Sequence, residues 1–350
     1  MRPIITGLAL TLVAVLALAS PRLADACAGL IGSNGAVNLG RTTTLAAYHE
    51  GVEHYITSFE FQGGGGEFGT LIPLPGVPTD VERGGAWTLQ RLLRETDPPP
   101  PQAEFASDGA LRAASAEVLQ EVRIDALDIT ILKGGGPDVA QWAQDHGFRL
   151  SPDAPEVLDF YAERSPIFMA AVFDGDAAVE RGQVVGDGTP VHLTIPTTNP
   201  WVPLRILSLG KQQFERVEAD VYLLTDDEPA LLHGDILGLE LDHSEQATDL
   251  LLDDLRADDG MGWVPEKAWL SKIEIDAFAG DIDFDLAVDA SGQDQPSRLA
   301  AGLGLVVTPE LGTADSDAST ALIIAIIAAL VAIIGAAFVM TRQPAGLRTS

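Results

Sequence analysis

The amino-acid sequence predicts a strand-rich, mostly antiparallel α+β ectodomain with short helices, followed by one C-terminal transmembrane helix. Short runs rich in Val, Ile, Thr and Leu outnumber the helical segments, and the helices fall in clusters between them. This order favours antiparallel pairing over a regular βαβ winding. The stretch that begins at Ala321 and ends at Met340 is apolar, with no charge and no proline. A helix of about 20 residues spans roughly 30 Å, the thickness of one bilayer core.

Ten strands are predicted from short β-branched and apolar runs, many of them bounded by glycine or proline. They lie at residues 36–48, 52–61, 68–74, 121–132, 167–173, 190–195, 203–209, 217–224, 270–278 and 282–288. The first two form a hairpin, because Glu50 and Gly51 between them suit a two-residue turn. The apolar run that begins at Ile167 predicts a buried strand.

Four helices are predicted from apolar residues at helical spacing and from residues that favour helix ends. They lie at residues 86–95, 137–146, 155–164 and 244–256. Pro137 suits the first turn of the second helix, and Ser244 is a good N-cap for the last one. The four prolines at 98–101 mark a loop, and a subdomain joint is expected near residues 97–116.

The two ends of the chain predict an exported protein held by a single membrane helix. Residues 1–26 combine a positive start, a short apolar run and an Ala-x-Ala site, which are the parts of a secretory signal peptide. Cleavage is expected before Cys27, and acylation of Cys27, as in a lipoprotein, is the alternative. The mature chain then contains an extracytoplasmic domain at 27–311, a polar stalk at 312–320, the membrane helix at 321–340 and a cytoplasmic tail at 341–350.

The charges beside the membrane helix set its orientation. Arg342 and Arg348 lie in the tail, whereas Asp315 and Asp317 lie on the other side. Because positive residues remain in the cytoplasm, the predicted localisation is the cell membrane, single-pass, with the N-terminal domain outside. Cys27 is the single cysteine, so the chain forms no internal disulfide.

The acidic composition argues against one class of partner. The chain carries 51 acidic and 21 basic residues, a formal net charge of −30. A field of that sign repels the phosphates of nucleic acids and anionic lipid headgroups. We therefore expect no nucleic-acid binding, and the acidity suits the surface of a soluble ectodomain.

The densest cluster of possible metal ligands lies at the first predicted hairpin. His49, Glu53 and His54 fall within six residues there, and they are the candidate ligands. A two-residue turn would pair Ala47 with His54 and His49 with Val52, which brings the two imidazoles near each other. Imidazole and carboxylate groups suit zinc or copper. Exposed hairpin side chains without a metal are the alternative.

A second acidic motif and the tryptophans offer weaker indications of a ligand. Asp281, Asp283 and Asp285 resemble the start of a calcium loop, but Leu286 stands where that loop needs glycine. A strand with a solvated aspartate face is therefore expected, with calcium contact as the alternative. The tryptophans could stack on sugars, although core packing is commoner. They are Trp87, Trp142, Trp201, Trp263 and Trp269.

Several stretches taken together resemble one bacterial family. They are Cys27-Ala-Gly, Asn34-Gly-Ala-Val, Arg41-Thr-Thr-Thr-Leu-Ala-Ala, Glu53-His-Tyr-Ile, Phe59-Glu-Phe, Gly69-Thr-Leu-Ile-Pro-Leu-Pro-Gly-Val-Pro, Trp142 with Gly147-Phe148, Tyr161, Phe168-Met-Ala-Ala-Val-Phe, Pro203-Leu-Arg-Ile and Asp220-Val-Tyr-Leu-Leu-Thr-Asp. This set is similar to the domain of unknown function family 2330 over most of residues 27–290. The resemblance implies an exported protein, usually with a C-terminal membrane anchor. It transfers no catalytic residue, because the family has no assigned reaction.

These observations predict a membrane-anchored, non-catalytic envelope ectodomain that binds an unknown envelope protein or glycan, or maintains the cell surface. No Gly-x-Ser-x-Gly elbow occurs, and no other nucleophile motif stands out. Two alternatives remain open. The first is a metal-binding protein or metal-assisted hydrolase that uses the hairpin of His49 and His54. The second is a cell-wall glycan-binding module. No cofactor is expected beyond the zinc, copper or calcium of these alternatives.

Overall fold

The described part of the chain contains fifteen strands, five α-helices and two 3₁₀ turns. This computed structural model describes residues 29–32, 41–60, 67–97, 117–183, 188–232, 238–292 and 295–303. The strands are β1 (Gly29–Gly32), β2 (Arg41–His49), β3 (Val52–Glu60), β4 (Glu67–Pro73), β5 (Asp80–Arg83), β6 (Glu117–Ile124), β7 (Leu127–Lys133), β8 (Ile167–Asp174), β9 (Gly188–Pro196), β10 (Trp201–Val202), β11 (Arg216–Thr225), β12 (Ala230–Leu232), β13 (Leu239–Gln246), β14 (Trp269–Phe278) and β15 (Leu286–Asp289). The helices are α1 (Thr88–Thr96), α2 (Gly136–Asp145), α3 (Ala154–Ala162), α4 (Gly175–Glu180) and α5 (Asp249–Ala257), and the 3₁₀ turns lie at Arg205–Ser208 and Ala279–Asp281.

Three sheets contain all the described strands. The largest has the order β13-β14-β11-β2-β3-β9-β5, the second β1-β4-β8-β7-β6, and the smallest β10-β15-β12. Neighbouring strands are antiparallel except β11 and β2, which are parallel. The predicted strand-rich, mostly antiparallel α+β class is therefore confirmed.

The central strands of the seven-stranded sheet are buried on both faces, and their successive side chains point alternately into two hydrophobic cores. Ala46 and Tyr55 point into a larger core, which the sheet shares with the five-stranded sheet, α2 and α3. Leu45 and Ile56 point into a smaller core, which the amphipathic helices α1 and α5 cover. The helices contribute Leu89, Leu92, Leu251, Leu252 and Leu255 to that smaller core.

A buried carboxylate joins α3 to the segment before β15. Asp285 accepts hydrogen bonds from Tyr161 Oη at 2.8 Å and from Arg164 Nη2 at 2.5 Å. The backbone N–H groups of Leu204 and Arg205 donate to it at 2.7 and 3.0 Å. The predicted solvated aspartate face is therefore wrong for Asp285, because these four donors hold its carboxylate inside the protein.

The structure corrects two of the predicted strands. The segment 121–132 falls in two antiparallel strands, β6 and β7, because Asp125 takes a left-handed conformation with φ 55° and turns the chain. The segment 203–209 contains a 3₁₀ turn instead of a strand. This turn forms because the amides at its start bind the carboxylate of Asp285 instead of a neighbouring strand.

The last helix begins later than predicted. Ser244 lies within β13, where it pairs with Ser271 of β14. The N-cap of α5 is Thr248, whose side chain accepts a hydrogen bond from the N–H of Leu251. The predicted start at Ser244 is therefore wrong, since the ladder to β14 satisfies its backbone before the helix starts.

Among the described residues, no helix is long and apolar enough to cross a membrane. The predicted signal peptide at 1–26, Cys27, the joint beyond Asp97, the stalk at 312–320, the membrane helix at 321–340 and the tail at 341–350 lie outside the described residues.

The turn between β2 and β3 has the predicted two residues and the predicted register. Glu50 and Gly51 have φ 49° and 82°. Ala47 pairs with His54, and His49 with Val52. Two successive left-handed residues suit a hairpin of type I′, which favours asparagine followed by glycine.

Replacing Glu50 with asparagine is expected to raise the free energy of unfolding by roughly 0.5–1 kcal/mol, since asparagine tolerates the left-handed region better than glutamate. Urea unfolding of the two proteins measures the difference. Gly51→Ala serves as the control and should lower stability by about 1 kcal/mol, because alanine is strained at that φ. A less stable Glu50→Asn protein would contradict the assigned turn.

Candidate functional site

Two imidazoles meet on the face of the seven-stranded sheet that also packs against α5. His54 belongs to β3 and His192 to the adjacent strand β9. In the register of these strands, Thr194 lies beside His54 and Ile56 beside His192, so both histidines emerge on the same face. Nδ1 of His54 lies 2.9 Å from Nε2 of His192. The sheet thus joins two rings that are 138 residues apart, called here the imidazole pair.

A carboxylate on the next strand orients the imidazole pair. Glu82 in β5 is the register partner of His192, and its Oε1 lies 3.2 Å from Nδ1 of that histidine. Because an ionised carboxylate only accepts, Nδ1 of His192 carries the hydrogen and its Nε2 is an acceptor. Nδ1 of His54 therefore donates to His192. Nε2 of His54 remains a lone-pair acceptor, without a hydrogen-bond partner among the described residues.

An indole covers His54. Trp263 lies in the loop after α5, and its ring stacks parallel to that of His54 with the centroids 3.8 Å apart. The centroid of His192 is 5.4 Å from the same indole. The indole Nε1 is buried and has no hydrogen-bond partner in the part of the chain that the structure describes. Stacking on one side and the bond to His192 together restrict the orientation of the His54 ring.

Burial keeps the imidazole pair uncharged at neutral pH. Burial, with smaller contributions from the nearby rings of His192 and His49, lowers the pKa of His54 to about 4. Burial also lowers the pKa of His192 to about 4, against the opposing effect of Asp80. Two neutral imidazoles can share a hydrogen, accept a proton or bind a metal ion.

The match to a family model decides the family of this chain. The model described as an uncharacterized protein conserved in bacteria matches residues 21–228, more than half of the chain. The chain belongs to the DUF2330 family. This confirms the resemblance seen in the sequence motifs. The matched region contains His54, Glu82 and His192, whereas Trp263 lies beyond it. Among curated proteins, none matches the chain.

The DUF2330 chain is similar to solved structures of a baculovirus protein. The crystal structure of baculovirus P35 has a TM-score of 0.39 at 7% identity and covers 71% of this chain and 96% of that chain. The structure of the caspase-8/P35 complex has a TM-score of 0.39 at 6% identity, and the match covers 71% of this chain and 96% of that chain. The structure of a mutated P35 after caspase cleavage has a TM-score of 0.35 at 9% identity, and the match covers 59% of this chain and 75% of that chain. Likeness at this level supports no argument about the DUF2330 chain.

The three residues predicted as metal ligands do not converge in the DUF2330 fold. His49 and His54 emerge on the same face of the sheet, but Glu53 points to the opposite face, into the larger core. Nδ1 of His49 lies 2.5 Å from Oδ1 of Asp226. In the described ranges, no group of three or more His, Cys, Asp or Glu side chains could hold a metal ion. Sequence reasoning missed His192, because no local spacing relates it to the hairpin.

Glu53 occupies an apolar environment between the sheets. Its side chain is 1% exposed, and neither carboxyl oxygen meets a hydrogen-bond donor in good geometry among the described residues. It lines an internal cavity of about 10 Å³, beside Trp201 and Val288. Burial raises the pKa of Glu53 to about 8, and the backbone of Trp201 opposes this only in part. Glu53 is therefore protonated at neutral pH and stays apart from the imidazole pair.

Proposed function

We propose that this chain is an exported, membrane-anchored envelope module that binds its ligand at the face formed by the imidazole pair and Trp263. The observation that carries the proposal is the imidazole pair itself. The neutral ring of His54 is fixed by His192 on one side and by an indole on the other. A few well-placed polar groups beside an aromatic ring are typical of recognition sites.

The location follows from the two ends of the chain. A signal peptide at 1–26 would export the domain at 27–311, and the helix at 321–340 would hold it in the membrane. The stalk at 312–320 would separate the domain from the bilayer, and residues 341–350 would stay in the cytoplasm. The expected partners are the membrane and an envelope protein or glycan, and the net charge of −30 disfavours nucleic acid.

Two observations rank the alternatives. Binding is favoured over metal-assisted hydrolysis, because catalytic zinc sites have three protein ligands and the described residues contain no group of three or more His, Cys, Asp or Glu side chains that could hold a metal ion. A flat glycan platform is disfavoured, because all five tryptophans are buried or half-buried. An envelope protein, or an ion that bridges to one, therefore fits this face better than a sugar ring does.

Removal of residues 321–340 tests the anchor. We expect the shortened protein to leave the membrane fraction and to appear outside the cytoplasm, while the full-length chain stays in the membrane. Cys27→Ala in both backgrounds is the control for lipidation. Membrane retention of the shortened protein that disappears with Cys27→Ala would assign the anchor to an acylated Cys27. A shortened protein found in the cytoplasm would contradict export.

A further inference from the structure

We propose that the imidazole pair binds a divalent transition-metal ion of the zinc and copper class, through Nδ1 of His54 and Nε2 of His192. This inference rests on the proposed binding role of the same face and names its ligand. Neutral imidazole nitrogens are common ligands for both metals, and copper(II) binds such sites more tightly than the other divalent first-row metals.

The spacing of the two nitrogens is close to what a metal ion requires. They lie 2.9 Å apart. Two zinc–nitrogen bonds of about 2.0–2.1 Å at the tetrahedral angle place their nitrogens about 3.3 Å apart. Because the ring centroids are 5.1 Å apart, the two nitrogens face each other along the hydrogen bond, so each ring must turn by roughly 35° before both lone pairs meet at one tetrahedral ion. These rotations also supply the extra distance between the nitrogens.

Metal binding requires His54 to move its ring hydrogen from Nδ1 to Nε2. When the ion binds, Nδ1 of His54 loses its proton to water and Nε2 of the same ring takes one up. Nε2 can accept this proton, since it has no hydrogen-bond partner among the described residues. His54 is then neutral before and after binding, and His192 keeps its hydrogen on Nδ1.

Glu82 provides the outer-shell carboxylate that metal-binding histidines commonly have. It accepts from Nδ1 of His192, 3.2 Å away, and thereby fixes Nε2 as the nitrogen that faces the ion. Asp80 and Asp259 lie near enough to Glu82 to raise its pKa, after the larger effect of burial. This group of carboxylates attracts cations to this end of the site. A tetrahedral ion would keep two positions for water or for a group on a partner, which makes the site open.

The hairpin residues predicted from the sequence fit less well as ligands. His49 Nδ1 is bound to Asp226, and Glu53 points to the other face of the sheet. Of the three metal ligands predicted from the sequence, the proposed site therefore uses only His54. Its second ligand is His192, which lies 138 residues further along the chain. His49 therefore provides a matched control, because it lies on the same face without belonging to the pair.

Titration of the metal-free full-length protein in detergent with ZnCl₂ and CuCl₂ tests the proposal. We expect one ion per chain, lost in His192→Ala. Glu82→Gln should weaken the affinity roughly 10–100-fold. Glu82 is 47% exposed, so this variant tests the site even where loss of the buried His192 impairs folding. Copper(II) should also quench tryptophan fluorescence, and Trp263→Phe should remove most of that quenching, since this indole stacks on a ligand ring.

His49→Ala should leave the stoichiometry unchanged and should alter the affinity far less than Glu82→Gln does, because His49 lies near His54 without belonging to the pair. Binding that is lost in His49→Ala but kept in Glu82→Gln and His192→Ala would overturn the proposal and assign the metal to the hairpin. The absence of any binding would overturn it as well. Neither result affects the release of the protein shortened by residues 321–340, so the proposed anchoring is judged separately.

Discussion

Replacement of Asp285 by asparagine is expected to lower the free energy of unfolding by about 3–5 kcal/mol. The carboxylate is 0% exposed and its partner Arg164 is 6% exposed, so the substitution leaves a guanidinium buried without its counter-charge. Asparagine keeps the oxygen that accepts from Tyr161, Leu204 and Arg205, but its NH₂ group replaces Oδ2 and faces the donating guanidinium of Arg164. Urea unfolding at pH 7, monitored by circular dichroism, measures the loss.

Asp253→Asn is the matched control for Asp285→Asn. Asp253 pairs with Arg256 on the surface of α5, at 2.5 Å, and is 71% exposed. Water screens such a pair, so its loss should cost no more than about 1 kcal/mol. Equal effects of the two substitutions would show that the Asp285 contacts do not join α3 to the segment before β15 as described.

Replacement of Glu53 by glutamine is expected to stabilise the protein at pH 8 and to have little effect at pH 5. The folded-state pKa of Glu53 is raised from 4.5 to about 8. Between these values the folded chain holds a proton that the unfolded chain has lost, so the free energy of unfolding falls as pH rises. The slope is about 1.4 kcal/mol per pH unit, or about 5 kcal/mol over the window.

Glutamine stays neutral at every pH and removes this penalty. Its buried amide replaces a neutral carboxyl that makes no side-chain hydrogen bond either, so the expected change is near zero at pH 5, and the expected gain at pH 8 is most of that penalty, about 4 kcal/mol. Urea unfolding at pH 5, 6.5 and 8 measures the trend. Asp285→Asn, a buried carboxylate with four donors, should have the opposite sign. A loss of stability in Glu53→Gln at pH 8 would contradict the raised pKa of Glu53.

Local sequence patterns predicted the parts of the fold that depend on neighbouring residues. The turn at Glu50 and Gly51 sets the register of β2 and β3, so the pairing of Ala47 with His54 could be derived from a few residues. The buried strand β8 was also predictable, because its first seven residues form an uninterrupted apolar run. All seven are buried. These features need no information from distant parts of the chain.

The contacts that were missed join residues far apart in sequence. His192 meets His54 only through the pairing of β3 with β9, and strand order is not encoded in local periodicity. Asp285 was assigned to a solvated face because its alternation with apolar residues is that of a surface strand. Its donors come from α3 and from the 3₁₀ turn, which lie 80 or more residues away. Glu53, in contrast, could have been excluded from the ligand set by sequence alone, because adjacent residues of β3 point to opposite faces of the sheet.

Anomalous diffraction at the zinc edge from crystals of the protein soaked in zinc tests the central claim most directly, because it locates the ion without reference to any variant. The account predicts one strong peak within bonding distance, about 2.0–2.1 Å, of both Nδ1 of His54 and Nε2 of His192. Glu82 should remain bound to the other nitrogen of His192. A peak between His49 and Asp226, with none at the imidazole pair, would contradict the account.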